Sequence, residues 1–160
     1  TQQVNIVRLL ARAAGNRGMV GGQMIDLDSE NSRPDLPDLQ TMHQLKTGAL
    51  IRCAVAMGAV AANGSDTTLN ALDAYADKIG LAFQVQDDLL DIEGDTEVIG
   101  KRQGSDAAKA KPTYPALLGI EGARQHLARL LDEALSALES FDSEADTLRA
   151  MADYVVARSH

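Results

Sequence analysis

Apolar residues recur at helical spacing from Val4 to Ala14, and the run stops at Gly15, a residue that ends helices readily. Gly15 to Gly22 contains four glycines and leads into Gln23-Met24-Ile25-Asp26-Leu27. Glycine-rich chain entering a helix permits close backbone approach, either to another helix or to a ligand. For the glycines alone, close helix packing is the preferred reading. Ser32 to Pro37 reads as a proline-bearing loop, and a helix follows from Asp38, its candidate N-cap, to about Asn63. Gly48 and Gly58 inside that helix would each weaken it in isolation by about 1 kcal/mol relative to Ala. Tight packing or a kink is therefore expected at both.

Ser65 or Asp66 caps the next helix, which is expected to reach about Glu93, with Gly94 as its stop. Its later part, Ile79 to Gln86, carries no charge, which places it deep. Asp95 to Lys111 is polar, rich in Gly, Lys and Asp, and long for a connection; loops of that length are commonly functional or mobile. Thr113 can cap a further helix with Pro115 in its first turn. Leu127 to Leu138 is strongly periodic, and Glu144 to Arg158 supplies the last helix. No strand pattern, internal repeat or second domain is evident. The expected architecture is all-α, one domain over residues 1–160.

Composition supports this, since Ala and Leu are plentiful and aromatics amount to 3%. A net charge of −8 argues against nucleic acid and anionic lipid as partners. The one cysteine, Cys53, excludes an internal disulfide and fits a reducing, cytoplasmic setting. His43, His126 and His160 are far apart and none sits beside Cys53, so no zinc-type spacing exists. No apolar run reaches membrane-spanning length, so no membrane insertion is expected.

The sharpest chemical signal is Phe83-Gln84-Val85-Gln86-Asp87-Asp88-Leu89-Leu90-Asp91. On a helix, spacings of three and four put pairs of these aspartates on a shared face, where like charges repel by a few tenths of a kcal/mol, roughly. They also sit towards the C-terminal end of their helix, where the macrodipole favours cations. A divalent cation would cancel these penalties, and carboxylate-only ligation suits Mg²⁺, which is often shared with substrate phosphates. The plain alternative is a solvated acidic edge. Lys46-Thr47 interrupts a largely uncharged stretch; a single such lysine can simply snorkel to the surface. Lys101, Lys109 and Lys111 lie in the long loop, where they could clamp a diphosphate or merely keep the loop soluble.

Taken in order, Gly21-Gly22-Gln23, Lys46-Thr47-Gly48-Ala49-Leu50, Phe83-Gln84 into Asp87-Asp88-Leu89-Leu90-Asp91, Gly94-Asp95-Thr96, Gly100-Lys101 and Lys111-Pro112-Thr113-Tyr114-Pro115 resemble the C-terminal half of bacterial farnesyl diphosphate synthases, within the trans-prenyltransferase family. The resemblance covers essentially the whole chain. It implies an isoprenoid-synthase helical bundle around a deep cavity. It further implies Asp87 as a direct Mg²⁺ ligand, with Asp88 and Asp91 supporting it directly or through water. Lys46 and Lys101 would hold the allylic diphosphate, Thr47 and Gln84 would line the cavity near the reacting carbons, and Gln23 would lie nearby. The implied reaction condenses dimethylallyl or geranyl diphosphate with isopentenyl diphosphate, most simply to farnesyl diphosphate, in a cytoplasmic homodimer. Asp95 to Lys111 would be a lid ordered by ligand.

Members of that family are usually near twice this length and carry two aspartate-rich motifs; only the second is present here. The chain is therefore expected to be a fragment that needs its N-terminal half for activity. Two other readings remain: a longer-chain prenyl synthase or terpene cyclase of the same fold, and a non-catalytic subunit that regulates a prenyl synthase. The Lys101 loop and Lys46-Thr47 favour chain elongation over cyclisation, and intact Asp87, Asp91, Lys46 and Lys101 count against a non-catalytic subunit.

Overall fold

A computed structural model describes residues 1–29, 34–98 and 112–159, with backbone only for 93–98. Among these residues the regular secondary structure is all helical, with no strand. Helix α1 spans Gln2–Ala14 and α2 Met19–Ser29. A long helical segment follows in three parts: α3 at Leu36–His43, a wider π-helical turn at Gln44–Gly48, and α4 at Ala49–Ala61. Helix α5 covers Asp66–Val98, α6 Tyr114–Ala137, and α7 Asp146–Ala157 after a short 3₁₀ turn.

Side-chain caps explain three of the helix starts. Asp35, not Asp38, starts α3: its carboxylate accepts the Asp38 backbone N–H at 3.0 Å. Ser65 is the residue that caps α5, since its hydroxyl accepts the Thr68 N–H at 3.1 Å. Thr113 caps α6 as its sequence suggests, accepting the Ala116 N–H, with Pro115 in the first turn. Beyond α4, Asn63 adopts a left-handed φ of 57°, a conformation Asn tolerates at helix ends. Gly94 does not stop α5, which continues to Val98; a single glycine costs too little to end a helix of such length. Gly119 does break α6 locally, with φ 73° that favours glycine.

The core lies along α5. Tyr75, Ala76, Ile79, Ala82, Val85 and Leu89 are buried at helical spacing against Tyr114, Leu127, Leu130 and Ala134 of α6, Ala152 and Val155 of α7, and Leu39 and Met42 of α3. The uncharged stretch of α5 is thus deep, as its composition indicates. Gly80 lets α5 cross the π-helical turn closely: a Cβ there would stand 3.1 Å from the Gly48 Cα. Gly48 therefore fulfils the expectation of tight packing, whereas a Cβ on Gly58 would meet nothing within 4 Å. Among the described residues no helix is long and apolar enough to cross a membrane.

Candidate functional site

The C-terminal part of α5, the π-helical turn, α2 and the start of α6 surround a cavity of about 380 Å³. Lys46, Gln84, Asp87, Asp88 and Asp91 all line it, so residues distant in sequence meet where the motif suggests. Asp26, His43 and Thr113 line it as well. A larger hollow of about 460 Å³ lies elsewhere, between α1, α4 and Arg52. Arg52 is already engaged there by Asp73, through bonds of 2.6 and 2.9 Å, and by Asp77 at 3.3 Å. That hollow gathers none of the aspartates of the α5 motif.

The three aspartates of α5 have different surroundings. Asp88 is buried, and its Oδ2 accepts the Tyr114 backbone N–H at 3.0 Å. Its negative charge therefore stands at the N-terminal end of α6, where the helix dipole favours it. Burial, and then the Asp88 carboxylate, push the Tyr114 hydroxyl well above its ordinary pKa, so it stays protonated. Asp91 is exposed at the cavity edge. Asp87 accepts a hydrogen bond from Arg158 Nη2, just beyond the end of α7.

Arg158 is held by several contacts at once. Its Nη2 also donates to the Phe83 carbonyl at 3.0 Å, its guanidinium lies 4.1 Å from the centroid of the Phe83 ring, and its own carbonyl accepts Gln86 Nε2 at 2.8 Å. Its side chain is 12% exposed, and Nε is buried without a hydrogen-bond partner among the described residues. A positive charge thus sits on the carboxylate that the motif offers to a cation. Sequence gave no sign of this, because nothing in a lone arginine at the end of the last helix points to Asp87.

On the opposite wall, Lys46 Nζ donates to Asp26 Oδ2 at 2.5 Å. Thr47 Oγ1 donates to Gln84 Oε1 at 3.0 Å, which ties the π-helical turn to α5 and fixes the amide against the cavity. π-Helical turns within α-helices are frequent at functional sites. Gln23 lies half-buried on α2 and does not line the cavity; Asp26, one turn further on, does. Lys101, Lys109 and Lys111 lie outside the described residues, as does most of the expected lid.

Among the described residues no three Asp, Glu, His or Cys side chains converge on one point. The donor set still suits Mg²⁺, which commonly takes one or two carboxylates and completes its shell with water and phosphate oxygens. Asp87 and Asp91, four apart on one helix face, supply two hard oxygen donors. Asp88 also lines the cavity, with its Oδ2 engaged by the Tyr114 N–H.

A family profile described as Polyprenyl synthetase matches residues 1–154. The chain is 48% identical to farnesyl diphosphate synthase of Escherichia coli, over 98% of this chain and 54% of that protein. A solved FPP/GFPP synthase from Zymomonas mobilis, in apo form, superposes with a TM-score of 0.84 at 42% identity, covering 97% of this chain and 51% of that one. A geranyltransferase from Helicobacter pylori, solved with magnesium and isoprenyl diphosphate, gives a TM-score of 0.75 at 32% identity, over 96% of this chain and 50% of that one. The chain spans about half the length of the curated relatives it matches.

Proposed function

This chain belongs to the polyprenyl synthetase family, and on that premise we propose that it forms part of a prenyltransferase domain that joins an allylic diphosphate to isopentenyl diphosphate. Its fold is the all-α isoprenoid-synthase bundle. The observation that carries the proposal is one cavity lined by Lys46, Gln84, Asp87 and Asp91. In this reading Lys46 faces the negative charge that grows on the departing diphosphate, a form of electrostatic stabilisation. The Gln84 amide, oriented by Thr47, turns its oxygen dipole towards developing positive charge on carbon. Asp87 and Asp91 would hold the cation, and Mg²⁺ there would supply Lewis-acid stabilisation of a departing diphosphate. Asp88 fixes the start of α6.

A cytoplasmic homodimer with farnesyl diphosphate as product is the accompanying proposal; the 48% identity to the Escherichia coli enzyme supports that chain length. The test uses the purified protein that carries this chain, incubated with geranyl diphosphate, isopentenyl diphosphate and Mg²⁺. Farnesyl diphosphate is the expected product. Longer prenyl diphosphates would revise the product, and unreacted substrates would overturn the activity.

A further inference from the structure

In the reading above Lys46 faces the diphosphate, and α2 grips it twice. At the backbone, a Cβ on Gly22 would lie 2.2 Å from the Lys46 N and 2.6 Å from its Cα, so only glycine lets α2 come this close. One turn along the same helix face, Asp26 receives the Lys46 ammonium at 2.5 Å. The side chains are 31% exposed for Lys46 and 17% for Asp26. Asp26 also lines the cavity into which the α5 aspartates project.

A long, flexible ammonium in such a cavity has an alternative partner. It could cross to α5 and pair with Asp87 or Asp91. That pairing would withdraw the cation from a diphosphate and cancel the negative charge that attracts a metal ion. The Arg158 contact demonstrates that Asp87 accepts a side-chain cation. A carboxylate on α2 removes the incentive to cross.

We propose that Asp26 is a positioning residue for Lys46, keeping its ammonium on the α2 side of the cavity and off the carboxylates of α5. The inference rests on the diphosphate reading above and gives that site a component the motif does not contain. An ion pair that is partly exposed adds little to folding. A purely structural pair would therefore leave ligand affinity unchanged when broken.

The experiment measures binding of inorganic pyrophosphate in the presence of Mg²⁺, by titration calorimetry, to the protein that carries this chain. Asp26→Ala should weaken binding about tenfold, the scale of one charge-assisted contact, with a melting temperature within about 4 °C of the unsubstituted protein. Asp26→Glu should restore most of the affinity. In a Lys46→Ala background, Asp26→Ala should cause no further loss, because the acid acts through the lysine. Should Asp26→Ala fold poorly, the same comparison is read on Asp26→Asn, which keeps the shape and removes the charge. Unchanged pyrophosphate affinity, or an equal loss with Lys46 already removed, would overturn the positioning role while leaving the diphosphate site standing. No binding by the unsubstituted protein would overturn the diphosphate reading, and this inference with it.

Discussion

Helices α1 and α5 both carry apolar residues at helical spacing, yet they do opposite things. In α1 no residue is buried, and Val4, Val7 and Leu10 remain on an open face while Ile6 and Leu9 are half-covered. In α5 the stretch from Ile79 to Gln86 carries no charge, and Tyr75, Ala76, Ile79, Ala82 and Val85 are almost fully enclosed. A periodic stripe thus shows that a helix has an apolar side, not that the side is covered. An uncharged stretch with no polar side is the better sign of depth. The same helix that supplies the core also presents the site, so the aspartates stand on a helix anchored by buried side chains. Their surroundings can be tested one at a time.

The largest effect is expected at Asp87. Asp87→Ala, in the protein that carries this chain, should lower turnover by about three orders of magnitude, as loss of a principal electrostatic group does. The helical circular dichroism should be unchanged, since Asp87 is half-exposed and supports no buried backbone group. Turnover near normal would remove Asp87 from the cation site.

Asp88 should behave in the reverse sense. Its bond to the Tyr114 N–H joins α5 to the start of α6 inside the protein. Asp88→Ala should therefore cost about 2 kcal/mol of stability, measured by denaturant unfolding, because the buried N–H is left without its charged acceptor. Asp88→Asn keeps an acceptor and should cost about half as much. A larger loss of stability for Asp87→Ala than for Asp88→Ala would reverse the assignment of roles within the motif.

How much of this was legible beforehand depends on the kind of signal. The helices, the Thr113 cap and the depth of Ile79 to Gln86 follow from local propensity and patterning, which a sequence displays directly. The meeting of Lys46, Gln84 and the aspartates was reached through family resemblance rather than through spacing, and the cavity brings them together. The missing parts are tertiary. Asp26 could have been suspected, because it stands four residues after Gly22, and a glycine that admits a neighbouring backbone implies that the next turn faces the same neighbour. Arg158 could not, since its position depends on how α7 closes against α5. The π-helical turn was also unforeseen: one wider turn within an otherwise ordinary helical pattern leaves no composition of its own.

A smaller effect is expected at Arg158. A guanidinium on Asp87 competes with any other cation there, so Arg158→Ala should tighten Mg²⁺ binding severalfold, about 1 kcal/mol for a partly buried charged contact. Calorimetric titration of Mg²⁺ into both proteins is the measurement. Weaker Mg²⁺ binding in the variant would mean that Arg158 supports the aspartate geometry rather than competing for it.

The smallest effect separates α1 from α5 most sharply. Val7 is 65% exposed, and it shares its open face with Val4 and Leu10. In a chain of these 160 residues, Val7→Ser removes no buried contact and exchanges two residues of similar helix propensity, so stability should change by less than about 0.5 kcal/mol. Val85→Ala, at a fully enclosed position of α5, should cost about 2 kcal/mol through lost transfer energy and the cavity left behind. Denaturant unfolding of both variants gives the contrast directly. Repeating the Val7 measurement in the protein that carries this chain then asks what covers α1. If the cost stays below about 0.5 kcal/mol, its outer face meets water there too; if it climbs beyond about 1 kcal/mol, that face is packed against other structure, since only burial gives an isolated valine such weight.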